Sequence, residues 1–264
     1  MDLRKNADRF TGFADVYDSA RPTMPHDTMD IIRLYLEKQP ETVVDLGCGT
    51  GLSTACWQGH CKSAIGIEPS VDMLLLAEQK RNAAVSFRKA YAHDTGLPAL
   101  CADAVVCSQS FHWMEPAATL QEVDRILKPG GVFATVDCDW PPVCGLRAEM
   151  AYAELFRKVK NIESNIPQVR TTFHRWEKAE HLRNIKESGI FRYCREIVFA
   201  HTESCDAARF IAIALSQGGL QTILKISPDL IREDLDRFRD AAAAAFGEGT
   251  RDIRFCYRMR VGVK

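Results

Sequence analysis

The chain has 264 residues, enough for one elaborated domain or two small ones, and 46% of them are apolar, as in a globular protein with a sizeable core. A formal net charge of -1 argues against a broad phosphate-binding face, and so against a nucleic-acid partner. No apolar run approaches the ~18 residues of a membrane span, and residues 1–5 lead into no apolar segment of the signal-peptide kind, so a cytoplasmic protein with no membrane attachment is expected. The ten cysteines form no C-x-x-C pair and are expected to be reduced, structural thiols.

In chain order, residues 1–26 carry Phe10, Phe13, Tyr17 and Arg21-Pro22 in a segment too irregular for one long helix. Asp27 is placed to cap a helix with Met29, Ile31, Ile32, Tyr35 and Leu36 on its apolar face. The β-branched run 42–46 predicts a buried first strand that passes directly into Gly47-Cys48-Gly49-Thr50-Gly51. Further strands are predicted at 63–67, 85–90, 104–108 and 132–137. Helices are expected between them, one with Met73, Leu74, Leu75, Leu76 and Ala77 inward and one opening at Pro116. After Asp139 the alternation breaks, and 147–160 and 177–187 read as helices. A sixth strand is expected over 191–200, helices over 205–246, and an antiparallel edge strand over 254–263.

Strands alternating with helices at short intervals mean right-handed βαβ units. The expected fold is therefore α/β: a Rossmann-like, seven-stranded, mostly parallel sheet with an antiparallel last strand and helices on both faces. Residues 1–264 are expected to form a single domain, with helical cap or lid segments at approximately 1–26, 140–188 and 205–246.

The chemistry concentrates at the strand ends. Glycines at 47, 49 and 51 permit a tight turn and a close approach of a ligand to the backbone. Glu68 ends the second strand about 17 residues beyond Gly51, near the ~20 expected of an acid that accepts ribose hydroxyls. The pair points to an adenosine-containing cofactor. A dinucleotide fingerprint needs a third glycine at position 52, where Leu52 stands, and no Walker lysine follows. His174 and His181 have no Cys or carboxylate at ligand spacing, so no metal is expected.

These residues resemble the class I S-adenosylmethionine-dependent methyltransferases. The matching stretches are Val43-Val44-Asp45-Leu46-Gly47-Cys48-Gly49-Thr50-Gly51, Gly66-Ile67-Glu68-Pro69-Ser70, Asp103-Ala104-Val105-Val106 through Phe111-His112-Trp113, and Leu127-Lys128-Pro129-Gly130-Gly131. Thr95-Gly96-Leu97-Pro98, the Phe-His-Trp triplet and the early Tyr17 and Arg21-Pro22 resemble the small-molecule branch that includes trans-aconitate-methyltransferase-like proteins.

The resemblance implies S-adenosyl-L-methionine as cofactor and S-adenosyl-L-homocysteine as product. It places the backbone of Gly47, Cys48 and Gly49, with Gly51 and Pro69, around the cofactor. Asp45 orients the turn or meets the ammonium, Glu68 accepts from the ribose, Met73 packs on the adenine and Ala92 offers its N–H to the adenine edge. Where many relatives carry an aspartate before that alanine, this chain has Tyr91, leaving His93, Asp94 or the backbone to read the adenine amino group. Ser108 and Phe111 flank the sulfonium. His112 is the candidate general base, its alternative being a wall of the pocket. Tyr17 and Arg21 form a lid over the cofactor carboxylate, the alternative for Arg21 being an ordinary surface position. Trp113, Asp139, Trp140 and Trp176 are expected to line the substrate pocket.

The expected activity is methyl transfer by in-line displacement to a small acceptor, at a carboxylate or hydroxyl oxygen, with nitrogen and sulfur open. The protein is expected to be a monomer or homodimer. The alternatives are an RNA or protein methyltransferase and a non-catalytic S-adenosylmethionine-binding regulator.

Overall fold

The run Thr42–Leu46 (β1) is buried along its length from Val43 onward, as a strand covered on both faces requires. The structure, a computed structural model, describes residues 18, 20–170 and 174–264, so the expectations placed on Phe10, Phe13 and Tyr17 lie outside the described residues. β1 pairs in parallel with β2 (Ser63–Ile67) on one side and β4 (Ala102–Ser108) on the other. β3 (Val85–Arg88) continues the sheet beyond β2, and β5 (Leu127–Cys138) lies parallel to β4. A register shift between Ala102 and Ala104 accommodates residues 128–131, the Lys-Pro-Gly-Gly stretch.

The seven strands lie in the order β3-β2-β1-β4-β5-β7-β6, where β6 is Tyr193–Cys205 and β7 is Arg251–Val263. β7 is antiparallel to β5, as expected, but it is not an edge strand. It lies between β5 and β6, and β6 takes the edge. Its alternation of apolar and charged residues suggested one solvated face, yet Met259 to Val263 are all buried, Arg260 included. Arg260 is tolerated there because two carboxylates neutralise it, Asp137 at 2.8 Å and Glu196 at 2.8 Å.

The strand order reverses between β1 and β4, and the crevice beyond their carboxyl ends is where open α/β sheets bind ligands. Helices connect the strands: α1 (His26–Leu36), α2 (Leu52–Cys56), α3 (Val71–Glu78) and α4 (Pro116–Ile126). Asp27 sits inside the first turn of α1 instead of capping it, because Pro25 takes the cap position and supplies no side-chain acceptor. In α3 only Met73 and Ala77 are buried, whereas Leu75 is 64% exposed; a helix directs positions four apart, not two apart, to one face. α4 opens at Pro116 as predicted, with the Glu115 side chain accepting from the N–H groups of Ala117 and Ala118. The predicted helix over 177–187 divides into a 3₁₀ turn, Lys178–Glu180, and a helix, His181–Glu187, which follows α5 (Leu146–Asn165) and the short turn α6 (Pro167–Arg170) and is α7.

The chain divides into two compact units. One, Thr23–Cys138 with Arg175–Phe199 and Tyr257–Lys264, holds most of the sheet and the core around Val44, Leu46, Phe111, Val123 and Phe133. The other gathers Asp139–His174 and Ala200–Cys256 with the segment ending at Pro22. Its core is aromatic. Phe210, on α8 (Ala207–Leu215), lies 5.9 Å from Tyr152 of α5, and 5.6 and 5.2 Å from Phe238 and Phe246 of α10 (Arg232–Phe246), which α9 (Gly218–Ile226) precedes.

Candidate active site

Beyond β1 the chain makes a turn in which Gly47, Gly49 and Gly51 take φ of 68°, 56° and 81°. The turn is pinned to the end of β2, since the N–H groups of Gly47 and Cys48 both donate to the carbonyl of Ile67, at 2.8 and 3.1 Å. It is also pinned to the loop after β4, where the Ser110 hydroxyl donates to Leu46 O at 2.6 Å. The glycines serve different ends. A Cβ on Gly51 would lie 2.8 Å from the Phe87 ring, so that glycine permits close packing. Among the described residues a Cβ on Gly49 would meet nothing within 4 Å, so there the turn presents bare backbone.

Two buried carboxylates serve this turn. Asp45, the fourth residue of β1, accepts the hydroxyls of Ser53 and Thr54 at 2.6 and 2.7 Å through Oδ2, while Oδ1 is buried with no hydrogen-bond partner among the described residues. Burial pushes its carboxyl up to about 6 against those two hydroxyls. Glu68 accepts the N–H of Gly49 at 3.0 Å through one oxygen and that of Ser70 at 2.8 Å through the other. Burial pushes it up to about 7 despite both donors. The acid predicted to read the ribose is therefore physically coupled to the glycine turn. Cys48 is buried with its thiol pushed well up by burial, which leaves its backbone as the part offered to a ligand.

On the β3 side, Met73 and Ala92 are buried and Pro69 is half-buried. The Tyr91 ring lies 5.5 Å from that of His93, which is exposed with Asp94. The loop is clamped by Glu122 of α4, whose Oε1 accepts both the N–H and the hydroxyl of Thr95 at 2.9 and 2.5 Å. Glu122 drew no notice in the sequence; its place one turn before Arg125, which it also binds at 2.6 Å, reads as a solvated helical ion pair.

After β4, Gln109 adopts φ 56°, an uncommon conformation for a residue with a side chain. Phe111, His112 and Trp113 then form a 3₁₀ turn. Phe111 is buried edge-on against Phe133 and His181, and the His112 ring lies 4.7 Å from that of Trp113. The carbonyl of His112 accepts the backbone N–H of Trp176 at 2.9 Å. Behind this turn stands Asp137, near the end of β5. Its Oδ1 takes Lys178 Nζ at 3.0 Å and faces His112 Nδ1 at 3.7 Å. Its Oδ2 takes His181 Nδ1 at 3.1 Å and Arg260 at 2.8 Å. Lys178 also donates to Gln109 Oε1 at 3.1 Å.

Burial pushes the Asp137 carboxyl upward, but Lys178 and the two imidazoles prevail and hold it well below the usual range. Burial, then the Lys178 charge, push His112 down to about 3 against the pull of Asp137, so the imidazole is neutral at physiological pH. Lys178, Arg260 and the buried position of His181 were missed in the sequence because their partner lies 41 to 123 residues away and no local spacing marks it.

The remaining candidates lie in the second unit. The Arg21 guanidinium sits over the Trp140 ring at 5.2 Å and donates to Ser216 O and Gln217 Oε1, at 3.1 and 3.3 Å. Asp139 is half-buried and donates its N–H to Cys256 O at 2.8 Å. Tyr17 lies outside the described residues. Among the described residues no group of three or more His, Cys, Asp or Glu is arranged to hold a metal ion, and no helix is long and apolar enough to cross a membrane.

Residues 44–135, which carry the glycine turn, Glu68 and the His112 turn, match the protein-family profile described as "Methyltransferase domain". This stretch is a methyltransferase domain. Over 124 residues, 45% of this chain, it is 31% identical to CRG1 of Saccharomyces cerevisiae, named as a probable S-adenosylmethionine-dependent methyltransferase, and covers 43% of that protein. Over 122 residues it is 30% identical to the uncharacterised methyltransferase Rv3342 of Mycobacterium tuberculosis, covering 46% of this chain and 49% of the relative. The chain thus spans less than half the length of these curated relatives.

Solved structures share the fold across nearly all of the chain. A protein from Anaeromyxobacter dehalogenans provisionally assigned as a type II methyltransferase superposes with a TM-score of 0.66 at 20% identity, covering 92% of this chain and 97% of that one. A Haemonchus contortus phosphoethanolamine N-methyltransferase, crystallised with S-adenosylhomocysteine, gives a TM-score of 0.58 at 15% identity, covering 100% of this chain and 60% of that one. The residues of the methyltransferase domain fit S-adenosylmethionine. The open backbone at Gly49 admits a ligand, ionised Glu68 retains lone pairs for hydroxyl donors, and the buried, unpartnered Oδ1 of Asp45 suits a cationic donor.

Proposed function

We propose that this protein methylates a small-molecule acceptor, at a carboxylate or hydroxyl oxygen. S-adenosylmethionine, when bound, supplies a methyl group on a sulfonium sulfur. The backbone of Gly47, Cys48 and Gly49, with Asp45, Glu68, Met73, Ala92, Ser108 and Phe111, would hold it. The observation that supports a small acceptor is burial: Phe111, His112 and Asp137 are all more than nine-tenths buried at the strand ends. A group delivered there must be compact, and the chain's balanced charge offers a polyanion no general attraction.

In this reading neutral His112 keeps a nitrogen lone pair across the physiological range, the state needed to take the proton of a hydroxyl acceptor, whereas a carboxylate arrives ionised and gives up none. Trp113 shapes the wall beside it. Trp176, whose backbone N–H donates to the His112 carbonyl, is assigned to acceptor choice. The deciding experiment incubates the protein with methyl-labelled S-adenosylmethionine and a metabolite extract, and reads labelled products by mass spectrometry. Label in a low-molecular-weight product is expected. Label only in added RNA or protein would overturn the small-molecule reading, and none in any fraction would favour a binding protein without turnover.

A further inference from the structure

Four groups from four separate elements converge on His112 and are explained by nothing in the cofactor half of the site. They are Asp137 of β5, Lys178 of the 3₁₀ turn Lys178–Glu180, His181 of α7 and, through Asp137, Arg260 of β7. His181 lies 6.4 Å from His112, ring to ring, with an interplanar angle of 20°. Burying so many ionisable groups is costly and is weak grounds for stability alone. Glu196 also binds Arg260, at 2.8 Å, so the demands of Arg260 alone do not account for the ammonium and the two imidazoles gathered around Asp137.

We propose that Asp137 and Lys178 are positioning residues that set the tautomer and the proton affinity of His112. The argument rests on the proposal that His112 accepts the acceptor's proton. Nδ1 of His112 is buried and makes no hydrogen bond among the described residues, and the carboxylate oxygen it faces, at 3.7 Å, carries negative charge. That field favours the proton on Nδ1, which leaves the lone pair on Nε2. The proton leaving a hydroxyl acceptor would come to rest on Nε2, and the imidazolium so formed would have Asp137 as counter-charge, as in other oriented histidine bases.

Lys178 acts in the opposite sense. Its ammonium and the His112 Nδ1 both lie within 4 Å of the same Asp137 oxygen, so its charge opposes protonation of the ring. The Lys178 side chain is about one-third exposed and Gln109 holds it in place at 3.1 Å. It can therefore be replaced without opening the core. At an effective dielectric near 20 a unit charge ~6 Å away moves a neighbouring titration by roughly two pH units, and solvent screening of the partly exposed Lys178 brings that to roughly one to two.

The test is NMR on protein labelled with nitrogen-15 in its histidine rings, assigned with His112→Ala. In the natural protein the His112 nitrogens should show the Nδ1–H form and no titration between pH 5 and 8. In Lys178→Gln the His112 midpoint should rise by roughly one to two units, with the His181 signals still those of a folded ring. In Asp137→Asn, if it folds, the Nδ1–H preference should be lost. An unchanged His112 midpoint in Lys178→Gln overturns the proposal, as does an Nε2–H form or titration near pH 6.5 in the natural protein. None of these readings depends on turnover, whereas full turnover in His112→Ala would reject His112 as the base. The two failures are thereby distinguishable.

Discussion

The carboxylate of Glu68 accepts the backbone N–H of Gly49 at 3.0 Å, joining the acid at the end of one strand to the glycine turn at the end of its neighbour. The joint explains why the two features occur together: the acid orients the loop whose open face it shares. Glu68→Ala should therefore weaken S-adenosylhomocysteine binding by at least tenfold, while leaving far-UV circular dichroism unchanged. Calorimetry showing the natural affinity would remove Glu68 from the binding site.

Protonation of the same residue should be visible in binding. Burial raises Glu68 from the ordinary 4.5 to about 7, and only the ionised form keeps both oxygens as acceptors. Affinity should rise with pH, by up to about tenfold per unit below 7, and level off above it. Binding near pH 6.5 should release a proton, measured as a heat that varies with the buffer's ionisation enthalpy. The sign for folding is opposite. The folded chain holds this proton where the unfolded chain has lost it, so the stabilisation is complete below 4.5 and lost as pH rises through about 7.

Two glycines of the turn should separate binding from stability. Gly51→Ala places a methyl 2.8 Å from the Phe87 ring and should cost about 1–3 kcal/mol from crowding alone. Gly49→Ala meets no atom of the described residues and should cost only the left-handed strain, about 1 kcal/mol, while lowering cofactor affinity. Denaturant melts and cofactor titrations on both variants check the contrast. Equal binding loss in the two would contradict it.

His112→Ala should reduce turnover by about two to four orders of magnitude if the ring takes a proton. Its affinity for S-adenosylhomocysteine should stay within about threefold, because the proposed role of the ring is toward the acceptor. Single-turnover kinetics with the acceptor found by the labelling screen make the comparison. Natural turnover in the variant would leave His112 as wall.

Asp137→Ala should destabilise the fold by about 3–5 kcal/mol, since it strips a buried carboxylate from Lys178 and Arg260. The depressed carboxyl contributes stability that is present above its ordinary 3.8 and lost as pH falls below it. The variant's acid denaturation should accordingly be shallower than the natural protein's, by urea melts between pH 3 and 6.

The first five strands, the glycine turn and the acid at the end of β2 were legible because their signals are local. β1 and β2 match the expected ranges, and Glu68 lies where the spacing from Gly51 puts it. The contacts of Asp137 were illegible for a physical reason. Arg260 in an alternating strand looks solvated until Asp137, 123 residues earlier, is seen beside it. Lys178 likewise reads as an ordinary surface lysine, and its depression of His112 follows only from a shared partner. Leu75 failed differently: an all-apolar run carries no periodicity, so nothing in it marks the outward side.

The position of β7 bears on the order in which the molecule can be assembled. Arg251–Val263 follows every other strand in the chain yet is hydrogen-bonded within the sheet, between β5 and β6. A nascent chain on the ribosome can pair β1 to β5 early, but β6 has no neighbour until residues 251–263 have emerged. Until then Asp137 has Lys178 as its ion-pair partner but lacks Arg260. The contacts of Asp137 are therefore completed last, by a long-range closure, once the glycine turn and Glu68 have already emerged.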